Sequence, residues 1–485
     1  MKLPIKLPTA SVSRWVKGSR SLLPFTSPIS STRGRDNVLD KLLVFTPSHD
    51  VEGGNQSQSK SPLTSLLQLH YPLSSPDNDL LQEYTLPPQV SSGSTASSLR
   101  YNEDLLIEDM DMFAADVACR HVGGLEDKRL VTAHLERLEI MCHHHPLSRQ
   151  HLPAGANGRL LTDVDLELSG QVVWVGRSSM EVLLEVCTAL PKKLAGQHEG
   201  PSNNQDENGN ANDEGIQYYG SQPNDNLYRQ LVGRAQFVMA TRTPDLTRAM
   251  QVQPLLPTNA HEESLFKEVQ ERTERKKRDA QQRHHQHTHD EATKHLSPHD
   301  PLTEEQRQAC SHAYSSRSRG VEDVLMSSTA RSQLVTTRYQ DRNTTGSVFG
   351  GQLLCYGTTI GSDVATAHAG QPCQLVQLHD VAFIALAPLN CQLVLEGHIA
   401  YTEGPMMHVR AVVRRLSDHP NDGAQKSTPA PGAYVTTFWC TYTTASGDVV
   451  ATVTPSTQAE FRDWSHAKSC IPLTVPAGAE AMLCS

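Results

Sequence analysis

Apolar and polar positions alternate with period two through "LVTAHLERLEI" (130–140), "LELSGQVVWVGRSSMEVLLEV" (166–186) and "VGRAQFVMATR" (232–242). The same alternation returns in "LVQLHDVAFIA" (375–385), "CQLVLEGHIAYTEGPMMHVRAVVRRL" (391–416) and "YVTTFWCTYTT" (434–444). Side chains two apart in a strand share a face, so such runs, rich in β-branched residues, predict half-buried antiparallel strands. "VGRSSM" and "TEGPMM" put Gly and small residues between apolar runs, as hairpin turns do. Ahead of each set the pattern becomes helical, over "IEDMDMFAADVACRHV" (107–122) and "GGQLLCYGTTIGSDVATAHA" (350–369).

One order therefore occurs twice: a helix, then a long antiparallel meander. A curved antiparallel sheet wrapped around one helix is the α+β hotdog arrangement, and two copies in a chain make a double hotdog. The expected segments are 1–35, a transit peptide; 36–99, a low-complexity region; 100–250, the first hotdog domain, with a disordered insertion at about 191–227. They continue with a linker at 251–320, a second hotdog domain at 321–465 and a tail at 466–485. The linker opens with helically spaced Leu265, Phe266 and Val269 and becomes a His-rich run containing His284, His285, His287 and His289. No acid or Cys frames a closed site around these His residues, so a solvated, mobile connection is expected rather than a metal site; "CHHHP" (142–146) reads the same way.

Composition narrows the function classes. A length of 485 residues suffices for two sizeable cores, while 37% hydrophobic residues and a mean hydropathy of −0.44 leave part of the chain outside any core. The net charge of −10 argues against a general nucleic-acid binder, and no apolar stretch is long enough for a membrane span. The 10 Cys are scattered without a CxxC, which suits a reducing interior. The first 35 residues contain Lys and Arg but no acid, and Val12, Trp15, Val16, Leu22 and Leu23 fall on one helical face. That is the composition of a mitochondrial transit peptide, and the expected location is the mitochondrial matrix.

Candidate chemistry centres on "NTTGSVFGGQLL" (343–354), where paired glycines open a helix. Glycines let another group approach the backbone, and N–H groups at a helix start face whatever sits there, a developing oxyanion or a phosphate. Together with "SGQVVWVGRSSMEV" and the doubled helix–meander order, N-x-x-G-x-x-F-G-G-x-L-L resembles the acyl-coenzyme A thioesterases with tandem hotdog domains, nearest in look to the mitochondrial thioesterase 9-like group. The likeness extends to "RAQFVMATR" and to "PLLP" and "EESLFKE" at 254–268, covering about 100–190, 228–270 and 325–460.

The resemblance implies hydrolysis of fatty acyl-coenzyme A to free acid and coenzyme A, without a cofactor, by trimers of double hotdogs. It implies that N–H groups around Gly350 and Gly351 hold the carbonyl oxygen, that Phe349 and Gly350 line the substrate, and that Asn343 orients a water or the thioester. A carboxylate follows on the same helix in many such enzymes, but Thr358 and Thr359 occupy those positions here. The first half has Glu108, Asp109 and Asp111 at its helix start and no FGG. The family's L-E-D-L-D pattern maps its last Asp onto Asp111, with Asp109 the alternative, although the R-x-G that precedes it in the family is absent from "RYNEDLLIEDMD". Helix N-terminal capping is the plainer reading of these acids. Complementary loss in the two halves favours one composite site, with Asn343 and the glycines from one domain and the carboxylate from the other.

Other groups read as structural. Arg410, Arg414 and Arg415 suit a solvated strand edge, and Cys355 and Cys440 a core. Asp363 and His368 have hydratase-like spacing without its Asn-Pro. The competing function is a catalytically inactive hotdog scaffold or acyl-coenzyme A-binding protein.

Overall fold

The strand-forming runs pair into one sheet of 11 strands. The computed structural model describes residues 59–71, 73, 103–140, 165–191, 227–289, 297–314, 323–416 and 432–470 (124, 126, 298 and 344 excepted), with short strands at 43–45, 85–86 and 100–101. The stretch at 1–35, nearly all of the low-complexity region and of the insertion, "CHHHP" and the chain beyond 470 lie outside the described residues.

In chain order the strands are β1 (Leu43–Phe45), β2 (Leu67–Tyr71), β3 (Arg129–Ile140), β4 (Asp165–Val175), β5 (Ser179–Pro191) and β6 (Leu227–Arg242). They continue with β7 (Arg331–Thr336), β8 (Cys373–Phe383), β9 (Gln392–Glu403), β10 (Met406–Arg415) and β11 (Tyr434–Thr444). Their order across the sheet is β1-β2-β4-β5-β6-β3-β8-β11-β10-β9-β7, with every neighbour antiparallel. The two meanders meet where β3 pairs with β8, Leu138 opposite Leu378 and Leu135 opposite Val381.

Two helices lie against the sheet, α1 (Glu103–Val122) and, further along the chain, α4 (Gly350–Ala369), and they pack on each other. Ile107, Met110, Ala114, Val117 and Ala118 recur at helical spacing and bury one face of α1. Gly170 of β4 faces Phe113 and Val117, and Gly397 of β9 faces Ile360 and Val364. Phe113 and Ile360 are each the eleventh residue of their helices, and Val117 and Val364 the fifteenth. A Cβ on Gly170 would come within 3.1 Å of both Phe113 and Val117, so the glycine sets how closely helix and sheet approach. The last residue but one of each helix is a His whose Nε2 lies 2.9 Å from a backbone carbonyl, His121 to Gln253 and His368 to Ala451.

Three further α-helices occur among the described residues: α2 (Ala260–His289), α3 (Glu304–Ala313) and α5 (Gln458–Ser469). The run after Val269 is helix as far as His289, for a local reason. From Ala260 onward it has no Gly or Pro and abounds in Glu, Arg, Lys and Gln, all good helix formers. Its contacts explain its position as well. Trp174 Nε1 donates to Gln270 Oε1 at 2.7 Å, Val269 is buried beside Trp174 and Leu183, and Arg272 pairs with the 2% exposed Glu181. Lys276 Nζ reaches Glu136 of β3 at 2.5 Å and Asp380 of β8 at 3.0 Å, across the joint between the meanders.

Helices α3 and α5 start at capping boxes, Thr303 with Gln306 and Thr457 with Glu460. The tail expected from 466 is thus helical through Ser469. The arginines of β10 also differ from expectation: Arg415 is 1% exposed, Arg410 makes two 2.7 Å bonds to Asp463 of α5, and Arg414 pairs with Glu396. Cys355 and Cys440 are buried.

Candidate active site

The start of α4 is shaped by the loop before it. Asn343 Oδ1 accepts from Thr345 N at 2.9 Å, Thr345 Oγ1 at 2.7 Å and Ser347 N at 3.0 Å. Three donors on one atom fix the oxygen end of the amide, and Nδ2 donates one of its two N–H groups to the Val348 carbonyl at 3.5 Å. Gly346 takes the left-handed conformation (φ 85°) inside this turn. Phe349 N donates to Asp341 O at 2.8 Å, which starts the helix at Gly350.

The neighbouring α1 presents Asp111 to that helix start. Thr132 Oγ1 of β3 donates to Asp111 Oδ1 at 2.7 Å, and the Gly351 N–H donates to the same carboxylate. A Cβ on Gly350 would come within 2.7 Å of Asp111 Oδ2, so only glycine admits the carboxylate there. A Cβ on Gly351 would strike Phe349 Cε1 at 2.5 Å and Glu108 Cα at 3.0 Å. Both glycines are therefore required by a close approach between two helices. Asp111 is 1% exposed, and this burial raises its pKa to about 6 against the opposing pull of the Thr132 and Gly351 bonds; the nearby Glu108 adds to the rise. At neutral pH it is an ionised carboxylate with a proton affinity near the operating range of a general base.

A cavity of about 350 Å³ opens at this point, and Asp111, Thr132, Asn343, Phe349 and Gly350 all line it. Leu130, Met239 and Leu353 supply apolar wall, and the half-buried Arg242 is its one cationic side chain among the described residues. The Gly350 N–H meets no acceptor among the described residues and belongs to the first turn of a helix, where the dipole favours negative charge. By its sequence the FGG motif offers both the Gly350 and Gly351 N–H groups for that task; in the fold the Gly351 N–H is held by Asp111.

Asp109 goes elsewhere. Two residues along a helix turns a side chain to the far face, and Tyr71 Oη donates to Asp109 Oδ2 at 3.2 Å, away from the cavity lining. Glu108 touches Gly351 but does not line the cavity. Thr358 Oγ1 donates to Asp104 Oδ1 at 2.7 Å, and Thr359 Oγ1 to the Cys355 carbonyl at 2.7 Å. Sequence reasoning missed Thr132 and Arg242. Thr132 shares a period-two face with Leu130, and a hydroxyl on an inward-facing position was the signal to follow. No His or Cys lines the cavity among the described residues, so its donor set does not suit a transition metal.

No family model matches the chain. Among solved structures, an apo-hexameric acyl-CoA thioesterase is 24% identical over 31% of this chain and 92% of its own, with a TM-score of 0.27. Among curated proteins, the mitochondrial acyl-coenzyme A thioesterase 4 of Humulus lupulus is 24% identical over 90% of this chain and 72% of its own length. The chain is similar in the same degree, 24% identity over 92% of its length and 90% of the relative's, to the chloroplastic acyl-coenzyme A thioesterase 2 of Humulus lupulus.

Proposed function

We propose that the chain is an acyl-coenzyme A hydrolase built as a double hotdog, with a single composite active site between its two halves. The observation that carries this reading is the buried Asp111 carboxylate, held by Thr132 and by the Gly351 N–H, lining a cavity together with Asn343 and Gly350. Similarity to two thioesterases over nine-tenths of the chain supports it. The double-hotdog description rests on the doubled helix–meander order and on the matched contacts of Gly170 and Gly397.

In this mechanism a water bound by Asp111 gives up a proton to the carboxylate as its oxygen attacks the thioester carbon. The carbonyl oxygen gains negative charge beside the Gly350 N–H and Asn343 Nδ2, which offset that charge most in the transition state. Collapse of the tetrahedral intermediate breaks the C–S bond. The coenzyme leaves as a thiol after taking the proton back from Asp111. Apolar wall from Leu130, Met239 and Leu353 faces the acyl group, and Arg242 is available to an anionic part of the coenzyme.

The test is thiol release by the purified chain across a panel of acyl-coenzyme A chain lengths. Turnover on at least one member, lost in Asp111→Asn, is the expected result. No thiol release from any member would overturn the hydrolase and favour a scaffold. The acid-free N-terminus supports import into the mitochondrial matrix, checked by the N-terminus of the mature protein in cells. Trimers of double hotdogs belong to the same reading and are checked by light scattering.

A further inference from the structure

A second cluster of reactive side chains lies away from the cavity, where α5 crosses the sheet beside the β3–β8 joint. His379 and Asp380 of β8 and His466 and Cys470 at the end of α5 each offer one ligand atom, all four atoms lying within 4.8 Å of one another. His379 Nδ1 and His466 Nε2 are each 3.9 Å from Asp380 Oδ2, and Cys470 Sγ is 3.5 Å from His466 Nε2. Tetrahedral ligands about 2.0–2.3 Å from a zinc ion stand about 3.3–3.8 Å apart, so side-chain movements of about 0.5–1 Å would close these atoms onto a metal.

The backbone is specialised to make this possible. Adjacent residues of a strand normally point to opposite faces, which would keep His379 and Asp380 apart. Here the β8–β11 register shifts between His379 and Ala382, and Asp380 adopts a left-handed φ of 47°, rare for a residue other than glycine. A bulge of this kind re-aims side chains and carries strain, a combination that recurs at ligand sites. On the helix, His466 and Cys470 are four apart and share one face.

The surroundings fit a metal as well. Trp439, opposite His379 in the sheet, lies with its ring centroid 4.4 Å from that of His466 and 6.4 Å from that of His379, fixing both imidazoles. Lys276 bonds Asp380 through Oδ1 and leaves Oδ2 directed at the two histidines, as an orienting outer group does. The adjoining group of His134, Glu136 and Asp380 already receives a cation, the Lys276 ammonium.

We propose that His379, Asp380, His466 and Cys470 form a structural zinc site that pins the C-terminal helix to the centre of the sheet. One thiolate, two imidazoles and one carboxylate suit zinc better than a hard cation such as Mg²⁺ or Ca²⁺. Binding releases the Cys470 thiol proton to solvent, and the two anionic ligands then balance the charge of the ion. The site is separate from the hydrolase reading and stands or falls without it.

Cobalt(II) titration of chelator-treated, full-length chain tests the proposal, because a thiolate ligand gives a sulfur-to-cobalt charge-transfer band and four-coordination gives intense visible bands. One equivalent with both signatures is expected, displaced by one equivalent of zinc. Cys470→Ser should remove the charge-transfer band, and His466→Gln and His379→Gln should each weaken binding at least tenfold with an unchanged circular dichroism spectrum. Cys142→Ser, in "CHHHP", should leave the band intact. Absence of the band, its persistence in Cys470→Ser, or its loss in Cys142→Ser would overturn the assignment.

Discussion

Thr358 Oγ1 donates to Asp104 Oδ1 at 2.7 Å, and this contact reverses the one between Asp111 and Gly351. Asp104 and Gly351 are each the second residue of their helix, and Asp111 and Thr358 each the ninth. At one crossing a carboxylate meets a helix N-terminal N–H; at the other a hydroxyl meets a carboxylate. The second has neither a base where Asp111 stands nor glycines to admit one. Thr358→Ala is therefore expected to leave kcat within about twofold of wild type. Losing its bond to a charged group should lower stability by about 1–2 kcal/mol in denaturant unfolding.

Asp111→Asn keeps the shape and removes the base, with an expected fall in kcat of about 10²–10⁴-fold. For wild type, kcat/KM should fall as pH drops through about 6, because the active form is the carboxylate. The stability effect has the opposite sign. The folded pKa of about 6 lies above the unfolded value, so keeping Asp111 ionised costs on the order of 3 kcal/mol above pH 6 and nothing below about pH 4. Asp111→Asn should melt no lower than wild type at pH 7.5, and any gain should vanish as the pH falls through that window. Wild-type turnover with an Asn at 111 would end the assignment of the base.

Asn343 has two separable tasks, since Oδ1 staples the loop while Nδ2, which donates one N–H to the Val348 carbonyl at 3.5 Å, carries a second N–H. Asn343→Asp retains an acceptor for Thr345 and Ser347 but loses the donor. It should melt within a few degrees of wild type while kcat drops about tenfold or more. The added negative charge should also push the acid limb of the pH profile upward. Asn343→Ala loses both tasks, so a lower melting temperature should accompany its lower rate. Equal kinetics for wild type and Asn343→Asp would show that the amide serves the loop alone.

Gly350→Ala sets a methyl group against Asp111 Oδ2, at a calculated approach of 2.7 Å. The carboxylate must move, and a displaced base is expected to cost about 10²-fold in kcat with little change in fold. Steady-state kinetics beside a circular dichroism spectrum would check both halves of that statement.

Arg272→Ala leaves Glu181, 2% exposed, without its guanidinium partner. Burial already raises the pKa of Glu181, and the arginine is what opposes that rise. A loss of about 3–5 kcal/mol is expected in denaturant unfolding, and adding Glu181→Gln should recover part of it.

Local patterns in the sequence located the elements that local chemistry defines. The helix at 350–369 is legible because paired glycines open it and a left-handed Gly370 (φ 66°) closes it. The strand from Tyr434 to Thr444 is legible from its alternation and β-branched residues. Helix α1 starts at Glu103, earlier than its apolar pattern suggests, because Glu103 and Asp104 favour the positive end of the helix dipole. The course of α2 was hidden for a different reason: after Val269 it is held by ion pairs to Glu181, Glu136 and Asp380, which leave no apolar stripe to read. Arg415 looked solvated because alternation cannot reveal a register shift between Val413 and Arg414. For the site, FGG and Asn343 stand out in the sequence, whereas the choice of Asp111 over Asp109 depends on which helix face meets a glycine 240 positions away.

The strap that α2 lays across the joint, with Lys276 joined to both Glu136 and Asp380, bears on how such a chain can be cut. Each half keeps its own helix and strands, while in the proposed site the base comes from one and the oxyanion donor from the other. Fragments divided beyond His289 would each carry an incomplete set of reacting groups, with α2 left on the first fragment as a latch for the second. Hydrolysis would then report reassociation directly, making the chain a two-piece enzyme whose activity is itself the assay for its assembly.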